Sequence, residues 1–276
     1  VALFAGGSIS KTFAPIAVKA GAVVIDNSST YRMDPDVPLI VPEVNPQDIT
    51  KHHGIIANPN CSTIIMVMAL KPIYDLARIK RIIVSTYQAA SGAGKDGLDE
   101  LENQIKQAAR GEEMTAKIFP SASAKKHFPL ALNLVPQIDI FLDNLYTKEE
   151  MKMVNETKKI FSDPELRVTA TTVRVPVYRS HSESVNVELE HDVELEDIRK
   201  ALANFPGVVL QDDPSQQIYP MPLYTSGKND VYVGRLRRDE SAANSFNFWC
   251  VGDQIRKGAA LNTLQIAETM VKNGWL

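Results

Sequence analysis

The opening of the chain constrains the fold most, because it reads as a strand, a glycine turn, a helix and a second strand. Residues 1–4 and 22–25 are short apolar runs of the kind found in buried parallel strands. Between them, residues 9–20 have the apolar spacing of a helix that ends at Gly21. Since strand–helix–strand connections are right-handed, the two strands are expected to lie parallel in one sheet.

Two more short strands continue this pattern, at residues 39–41 and 54–57. The second leads into a polar turn that ends at Cys61, and then into an apolar helix that reaches about Ala77. These features predict that the chain begins with a doubly wound α/β unit. Because Val1 already lies in a predicted strand, we expect the chain to start inside a domain.

The middle of the chain differs, because its strands alternate polar and apolar residues as antiparallel strands with one covered face do. The predicted class is α/β plus α+β, with a partial parallel-sheet domain and a larger domain built on a mixed or antiparallel sheet. We expect the smaller domain to comprise residues 1–60 and 253–276, and the larger one residues 61–252. The predicted strands of this part are residues 81–88, 168–177, 184–190 and 231–236, and the predicted helices are residues 95–110, 147–161, 194–204 and 253–273.

Composition excludes several classes of protein. The chain has 276 residues, of which 44% are hydrophobic and 23% charged, so it has enough apolar surface to fold. Its 30 basic residues face 33 acidic ones, which argues against a nucleic-acid-binding surface. No apolar stretch approaches the ~20 residues that span a bilayer. Two cysteines give neither a disulfide framework nor zinc spacing, so we expect a cytoplasmic protein without a metal site.

Cys61 is the sharpest chemical feature, because it lies where a strand ends and a helix begins. Helix N-termini carry free N–H groups and a partial positive charge, and both favour a thiolate over a thiol. On this basis Cys61 is either an activated nucleophile or a buried, inert cysteine, and the residue alone does not decide between them. Cys250, between Trp249 and Val251, is expected to be a core residue.

A thiolate nucleophile needs a proton partner, and His181 is the best placed of the five histidines. It lies between two alternating strands, at a connection that can direct its ring into a cleft. Arg174, seven residues earlier, can bind a carboxylate through two parallel hydrogen bonds. A capped turn with an unrelated surface arginine explains the same two residues equally well.

The segment from Ser91 to Lys95 looks at first like a phosphate-binding P-loop. Asp96 stands where that loop needs a hydroxyl, and the leading glycine spacing is absent, so we reject this interpretation. A glycine turn that lies against a ligand remains consistent with the sequence.

Taken together, these segments resemble the aspartate-β-semialdehyde dehydrogenase family over essentially the whole chain. The resemblance is specific because many separate stretches occur in the same order. They include Ala5-Gly-Gly-Ser-Ile-Ser10, Asp26-Asn-Ser-Ser-Thr-Tyr-Arg-Met33, Asn58-Pro-Asn-Cys-Ser-Thr63, Ser85-Thr-Tyr-Gln-Ala-Ala-Ser-Gly-Ala-Gly94, the run from Arg174 to Ser184, and Gly252-Asp-Gln254.

The resemblance implies roles for the residues that react with the substrate or bind it. Cys61 matches the nucleophile, His181 the general acid/base, and Gln88 the catalytic residue that orients the substrate. Arg174 matches the clamp on the substrate carboxylate, and Glu156 matches the partner of its ammonium group.

Phosphate and cofactor contacts are implied in the same way. The residues that match the phosphate pocket are Arg32, Asn60 and Lys159. The residues that match cofactor contacts near the nicotinamide are Ser91, Gly92 and Gln254.

The implied activity is the NADP-dependent reductive dephosphorylation of L-aspartyl 4-phosphate to L-aspartate 4-semialdehyde, and its reverse, through a thioester on the cysteine. The implied partners are these substrates, inorganic phosphate, and further copies of the chain in a homodimer or homotetramer. The implied pathway supplies lysine, threonine, methionine and diaminopimelate. No nucleic acid and no membrane is expected as a partner.

The chain departs from the family at its start, where the first strand and glycine-rich turn of the Rossmann-type domain are not found. The NADP preference therefore comes from the resemblance alone. Two alternatives stay open at this point: the related N-acetyl-γ-glutamyl-phosphate reductase, and a cofactor-deficient or non-catalytic chain that only dimerises. Against the first stand Gln88, Arg174 and the pair Glu156 and Lys159, which suit a free amino acid.

Overall fold

The computed structural model describes residues 1–4 and 6–276, and Ala5, in the predicted glycine turn, lies outside the described residues. Two sheets organise this part of the chain. The smaller is parallel, as the opening of the sequence predicts, with its strands adjacent in chain order. These strands are β1 (Ala2–Phe4), β2 (Val24–Asp26) and β3 (Ile55–Ala57).

The larger sheet has six strands and mixes parallel with antiparallel pairs, which confirms the predicted α/β plus α+β class. In chain order its strands are β4 (Ile79–Gln88), β5 (Arg167–Arg174), β6 (His181–Leu189), β7 (Val208–Leu210), β8 (Val231–Arg238) and β9 (Ser245–Gly252). Their order across the sheet is β5-β4-β6-β9-β8-β7.

The helices connect and cover these strands. In chain order they are α1 (Gly7–Lys19), α2 (Cys61–Leu76), α3 (Gly94–Ala109), α4 (Lys148–Ile160), α5 (Leu195–Ala203), α6 (Pro222–Thr225) and α7 (Leu261–Asn273). Short 3₁₀ turns occur at Pro46–Lys51, Ala90–Ala93 and Pro214–Gln216, and a π-type turn at Arg256–Ala260 precedes α7.

Three local predictions were wrong. The strand predicted at 168–177 was expected to be antiparallel, but β5 ends at Arg174 and lies parallel to β4. Residues 39–41 form only a single bridge, from Leu39 to Ala57. The helix predicted at 253–273 is regular only from Leu261, because the π-type turn comes first.

Helix α2 is the centre of the molecule. Every residue from Ile64 to Leu70 is fully buried, because the helix is enclosed on all sides. A separate cluster joins Ile25 and Ile56 of the small sheet to Ile266 and Met270 of α7. The end of the chain therefore returns to its beginning, while the division at residues 60 and 253 stays a prediction.

Within the described ranges, no helix combines the length and the apolar character needed to cross a membrane.

Candidate active site

Cys61 is the first residue of α2 and lines a cavity of about 430 Å³. The helix begins here because the Asn60 side chain accepts hydrogen bonds from the Ser62 and Thr63 amides, at 3.0 and 3.2 Å. This capping fixes the thiol where β3 ends. The residue is half-buried, whereas Cys250 is fully buried in the core.

The larger sheet delivers two predicted site residues to the same cavity. Gln88 and Arg174 are the last residues of β4 and β5, and they lie opposite each other in the parallel register. Because strands of a parallel pair end at the same edge, residues 86 apart in sequence become neighbours.

The Arg174 side chain is fixed by a hydrogen bond and still has unused hydrogen-bond donors. Its Nη1 donates to the Ala89 carbonyl at 2.8 Å, and the side chain is buried. Its Nε has no hydrogen-bond partner among the described residues. Unpaired buried donors are costly, so this guanidinium is suited to a carboxylate ligand that it can bind through two hydrogen bonds.

His181 lies behind Gly92 and is completely buried. The Ala89 amide donates to its Nδ1 at 3.1 Å, so a neutral ring carries its proton on Nε2. That Nε2 lacks a partner within residues 1–4 and 6–276. Burial, and then the charge of Arg174, lower the pKa of His181 to about 3, so the ring is neutral near pH 7.

Gly92 is required by this arrangement. A Cβ there would lie 2.6 Å from Arg174 Nη1, and 2.9 and 3.0 Å from His181 Cε1 and Nε2. Gly92 and Arg174 line the cavity, while His181 is packed directly against Gly92.

The structure does not bring Glu156 or Lys159 into this cavity, and this corrects two predicted contacts. Both carboxylate oxygens of Glu156 are taken, by Arg32 and by the Asn60 amide. The ammonium of Lys159 donates to the backbone carbonyls of Arg32, Asp34 and Val37, at 2.8, 2.6 and 2.8 Å.

Glu149 and Lys152 occupy the cavity instead, and the sequence analysis missed both. Glu149 accepts hydrogen bonds from Asn60 Nδ2 at 2.9 Å, Gln88 Nε2 at 3.3 Å and Lys152 Nζ at 3.0 Å. Burial opposes its ionisation, but Lys152, Asn60 and Arg174 prevail and lower the pKa of Glu149 to about 2. The cavity therefore contains a permanent carboxylate.

Arg32 is the second arginine of the cavity, and Asn60 lines it too. Arg32 Nε donates to the Asn58 carbonyl at 2.9 Å and Nη2 to the Asn27 carbonyl at 3.1 Å. Its Nη1 forms the ion pair with Glu156 at 3.2 Å. The guanidinium is thus fixed on three sides before any ligand binds.

Without a ligand, the surroundings of Cys61 favour the thiol over the thiolate. Burial, and then the charge of Glu149, raise the pKa of the Cys61 thiol to about 12. Arg32, Arg174 and the Ser62 amide lower it, as the helix N-terminus was expected to do, but the opposing causes are larger.

The π-type turn is a further feature that the sequence analysis missed. Gly258, within this turn, lies so close to the nucleophile that a Cβ there would be 2.9 Å from Cys61 Cβ. Next to it, the buried ammonium of Lys257 binds Glu43 at 2.5 Å, Asn262 at 3.0 Å and Gln265 at 2.8 Å. This network fixes the turn to Glu43 and to the first residues of α7.

The residues predicted to contact a cofactor lie together beside the cavity. Gln254 Nε2 donates to Ser91 Oγ at 2.6 Å, and Ser91 Oγ donates to the Tyr178 carbonyl at 2.5 Å. Beside them lies Gly92, whose missing side chain lets Arg174 and His181 pack closely against its backbone. The side chains of Gln254 and Ser91 are hydrogen-bonding groups that a carboxamide such as that of nicotinamide can use, and no cluster of metal-ligating side chains occurs among the described residues.

Comparison with known proteins identifies the family. The profile "Semialdehyde dehydrogenase, NAD binding domain" matches residues 1–52, and "Semialdehyde dehydrogenase, dimerisation domain" matches residues 70–257. An aspartate-semialdehyde dehydrogenase of Bacillus subtilis is 56% identical over 99% of this chain and 79% of its own length. The chain belongs to the aspartate-semialdehyde dehydrogenase family. It is therefore an oxidoreductase of aspartate-family amino-acid biosynthesis, as the resemblance implies.

Solved structures of this family have the same fold. Aspartate semialdehyde dehydrogenase II of Vibrio cholerae, complexed with ASA, is 46% identical, covers 99% of this chain and 80% of its own, and has a TM-score of 0.92. The enzyme of Candida albicans, with NADP, has a TM-score of 0.75 at 24% identity, over 99% of this chain and 78% of its own.

Proposed function

We propose that the chain interconverts L-aspartyl 4-phosphate and L-aspartate 4-semialdehyde, with NADP as the redox cofactor. The observation that carries the proposal is the placement of Cys61 between a carboxylate, Glu149, and a guanidinium, Arg174, in one cavity. A free α-amino acid has the two complementary charges on one carbon. The two alternatives left open by the sequence are not favoured, because the relative reported above is an aspartate-semialdehyde dehydrogenase matched over 99% of this chain.

The cavity orients the substrate by charge. Arg174 binds the α-carboxylate through its free donors, and Glu149 takes the role predicted for Glu156 and binds the α-ammonium. Gln88, which donates to Glu149, holds that carboxylate from the side of β4. With both α-groups fixed, the reacting carbon is presented to Cys61.

Cys61 carries the covalent step. The Cys61 thiol first loses its proton to water; its sulfur then bonds to the aldehyde carbon, and the carbonyl electron pair moves onto the oxygen. His181, with Nδ1 occupied by the Ala89 amide, donates a hydrogen bond from Nε2 to that oxyanion. When bound, NADP supplies the hydride acceptor; Ser91, Gly92 and Gln254 are the residues that hold it.

Phosphate then releases the product. One oxygen of inorganic phosphate bonds to the thioester carbon, and the C–S bond breaks to return the thiolate, giving the acyl phosphate. Arg32 and Lys152 are the cations that line the cavity for this anion, with Asn60 beside them, so Lys152 takes the place predicted for Lys159.

The partners and the location are inferences supported by the family. We infer a homodimer through the larger domain, with a homotetramer as the higher assembly, acting in the cytoplasm. Size measurement by light scattering tests the assembly.

The function is tested by removing the nucleophile. Cys61→Ala should abolish phosphate-dependent reduction of NADP by aspartate semialdehyde, while the melting temperature stays near that of the unmodified protein. Mass spectrometry of the unmodified protein, mixed with aldehyde and NADP but no phosphate, should show an acyl group on Cys61. Cys250→Ala is the matched control, and turnover in Cys61→Ala would contradict the mechanism.

A further inference from the structure

Glu156 is a buried carboxylate that joins two parts of the site without entering it. Only 1% of the residue is exposed, and it lies on α4, two helical turns after Glu149. Its Oε1 accepts from Arg32 Nη1 at 3.2 Å, and its Oε2 accepts from the Asn60 amide at 2.6 Å. One carboxylate therefore links the cavity's anion-binding guanidinium to the residue that precedes the nucleophile.

The contacts of Arg32 show what this link controls. A guanidinium has five N–H donors, and Arg32 uses one each towards Asn58, Asn27 and Glu156. Two donors, on the two terminal nitrogens, are left for a ligand in the cavity. Their direction is set by the three bonds already made, of which the bond to Glu156 is the only one to a charged group.

Lys159 fixes the loop that carries Arg32, and it does so from outside the cavity. It lies one turn after Glu156 on α4, and its ammonium binds three carbonyls of the loop that carries Arg32, between residues 32 and 37. The pair thus fixes both the side chain of Arg32 and its backbone. Neither residue lines the cavity.

We propose that Glu156 is a positioning residue that sets the separation between Arg32 and Cys61 for attack of phosphate on the thioester. Lys159 supports it by fixing the loop of Arg32. This inference rests on the proposed function, since it concerns the phosphate step of that reaction. It gives these residues a role different from the direct contacts that the sequence resemblance implies.

The need for two acceptors explains why the residue is a glutamate. A glutamine has one acceptor oxygen, so Glu156→Gln leaves either Arg32 or the Asn60 amide facing an NH₂ group. An aspartate keeps the charge but is one methylene shorter, so Glu156→Asp cannot reach both donors. Each variant breaks the link in a different way.

In Glu156→Gln, the loss of charge and the loss of position are expected to change kcat/KM for phosphate in opposite directions. Loss of a negative charge near the pocket would, by itself, tighten phosphate binding. Loss of position lowers the rate of phosphate attack. We expect kcat/KM for phosphate to fall about tenfold or more in both variants, equivalent to about 1.4 kcal/mol or more of transition-state stabilisation.

Stopped-flow measurement of NADPH separates the steps. In the variants, the first turnover, which forms the thioester, should proceed within about threefold of the unmodified rate, and the following phosphate-dependent phase should slow. Glu150→Gln is the matched control: Glu150 is also buried on α4 and accepts from two backbone amides, those of Thr147 and Thr172. It should lower stability but leave both phases intact.

Three kinetic outcomes would overturn the inference. They are an unchanged or improved kcat/KM for phosphate in Glu156→Gln, an unchanged value in Glu156→Asp, and equal slowing of both phases. Lys159→Met should lower kcat/KM for phosphate less than the Glu156 variants do. Lys158, which instead binds the Pro164 carbonyl, is the control, and Lys158→Met should leave kcat/KM for phosphate unchanged.

A second measurement does not depend on turnover. Inorganic phosphate should protect Cys61 from alkylation by iodoacetamide, read by mass spectrometry, and Glu156→Asp should need about tenfold more phosphate for half protection. If the unmodified protein is protected but does not turn over, the proposed reaction fails while the positioning role is still measured by this shift. If it turns over and the variants match it in both measurements, the positioning role alone is overturned.

Discussion

Glu149 accepts a hydrogen bond from the side chain of Asn60 at 2.9 Å, so the carboxylate that we assign to the substrate ammonium is joined to the cap of the nucleophile's helix. The same charge is, after burial, the main cause of the raised pKa of Cys61. An ammonium ion bound at Glu149 would neutralise that charge. The α-ammonium of a bound substrate would therefore favour the thiolate, while its α-carboxylate, paired with Arg174, would act in the opposite direction.

Glu149→Gln should separate binding from nucleophile reactivity. Removing the negative charge lowers the pKa of Cys61, so more thiolate is present at pH 8 and alkylation by iodoacetamide should accelerate severalfold. Turnover should nevertheless fall by about 10²-fold or more, because the substrate ammonium loses its partner. Alkylation rates measured from pH 7 to 10 test this, and slower alkylation in the variant would contradict it.

His181 should show no titration near neutral pH. Its pKa is lowered to about 3, so the ring gains its second proton only well below pH 5 and is neutral between pH 5 and 8. Nitrogen-15 NMR of the imidazole should show the proton on Nε2 throughout that range. A titration near pH 6.5 assigned to His181, with His191→Gln as the assignment control, would be inconsistent with the buried geometry.

His181→Asn should lower turnover by about 10²–10⁴-fold, the usual contribution of a positioned proton donor. The melting temperature should change little relative to this loss. Steady-state kinetics and thermal melting, done on one preparation, check both parts, and turnover within threefold of the unmodified protein would remove His181 from the mechanism.

Gly92→Ala should impair substrate binding and turnover by displacing Arg174 and His181. The added methyl group meets Arg174 and His181 at less than van der Waals distance, and Arg174 is held by the Ala89 carbonyl and cannot simply move away. We expect KM for the aldehyde to rise about tenfold or more and kcat to fall. Thermal melting of the same preparation is the internal control, because it checks that the variant is folded.

Local patterns predicted much of the fold because each depends on nearby residues. The first strand, helix and second strand were found from apolar runs and glycines alone. Strand β9 was missed because it lies between β6 and β8 and is buried on both faces, so alternation is weak. The parallel direction of β5 depends on where the chain returns, which no local pattern records.

Prediction of the site was limited in the same way, because local patterns do not show which distant residues meet. Cys61, Gln88, Arg174 and His181 each lie at the end of an element, but only the family resemblance indicated that they meet. Helix α4 carries two Glu-x-x-Lys pairs seven residues apart, at 149 and 152 and at 156 and 159. Seven residues are almost two full turns, so both pairs lie on one face. Spacing could not show which pair reaches the cavity; in the structure it is Glu149 and Lys152.

The contact of Gly258 with Cys61 has a consequence for the order in which the protein is made. Gly258, in the turn that closes over the nucleophile, is synthesised 197 residues after Cys61. Until Gly258 has been synthesised and its turn has folded onto the start of α2, the thiol lacks one of its walls. The site of the nucleophile is therefore complete only when segments about 200 residues apart in sequence have come together.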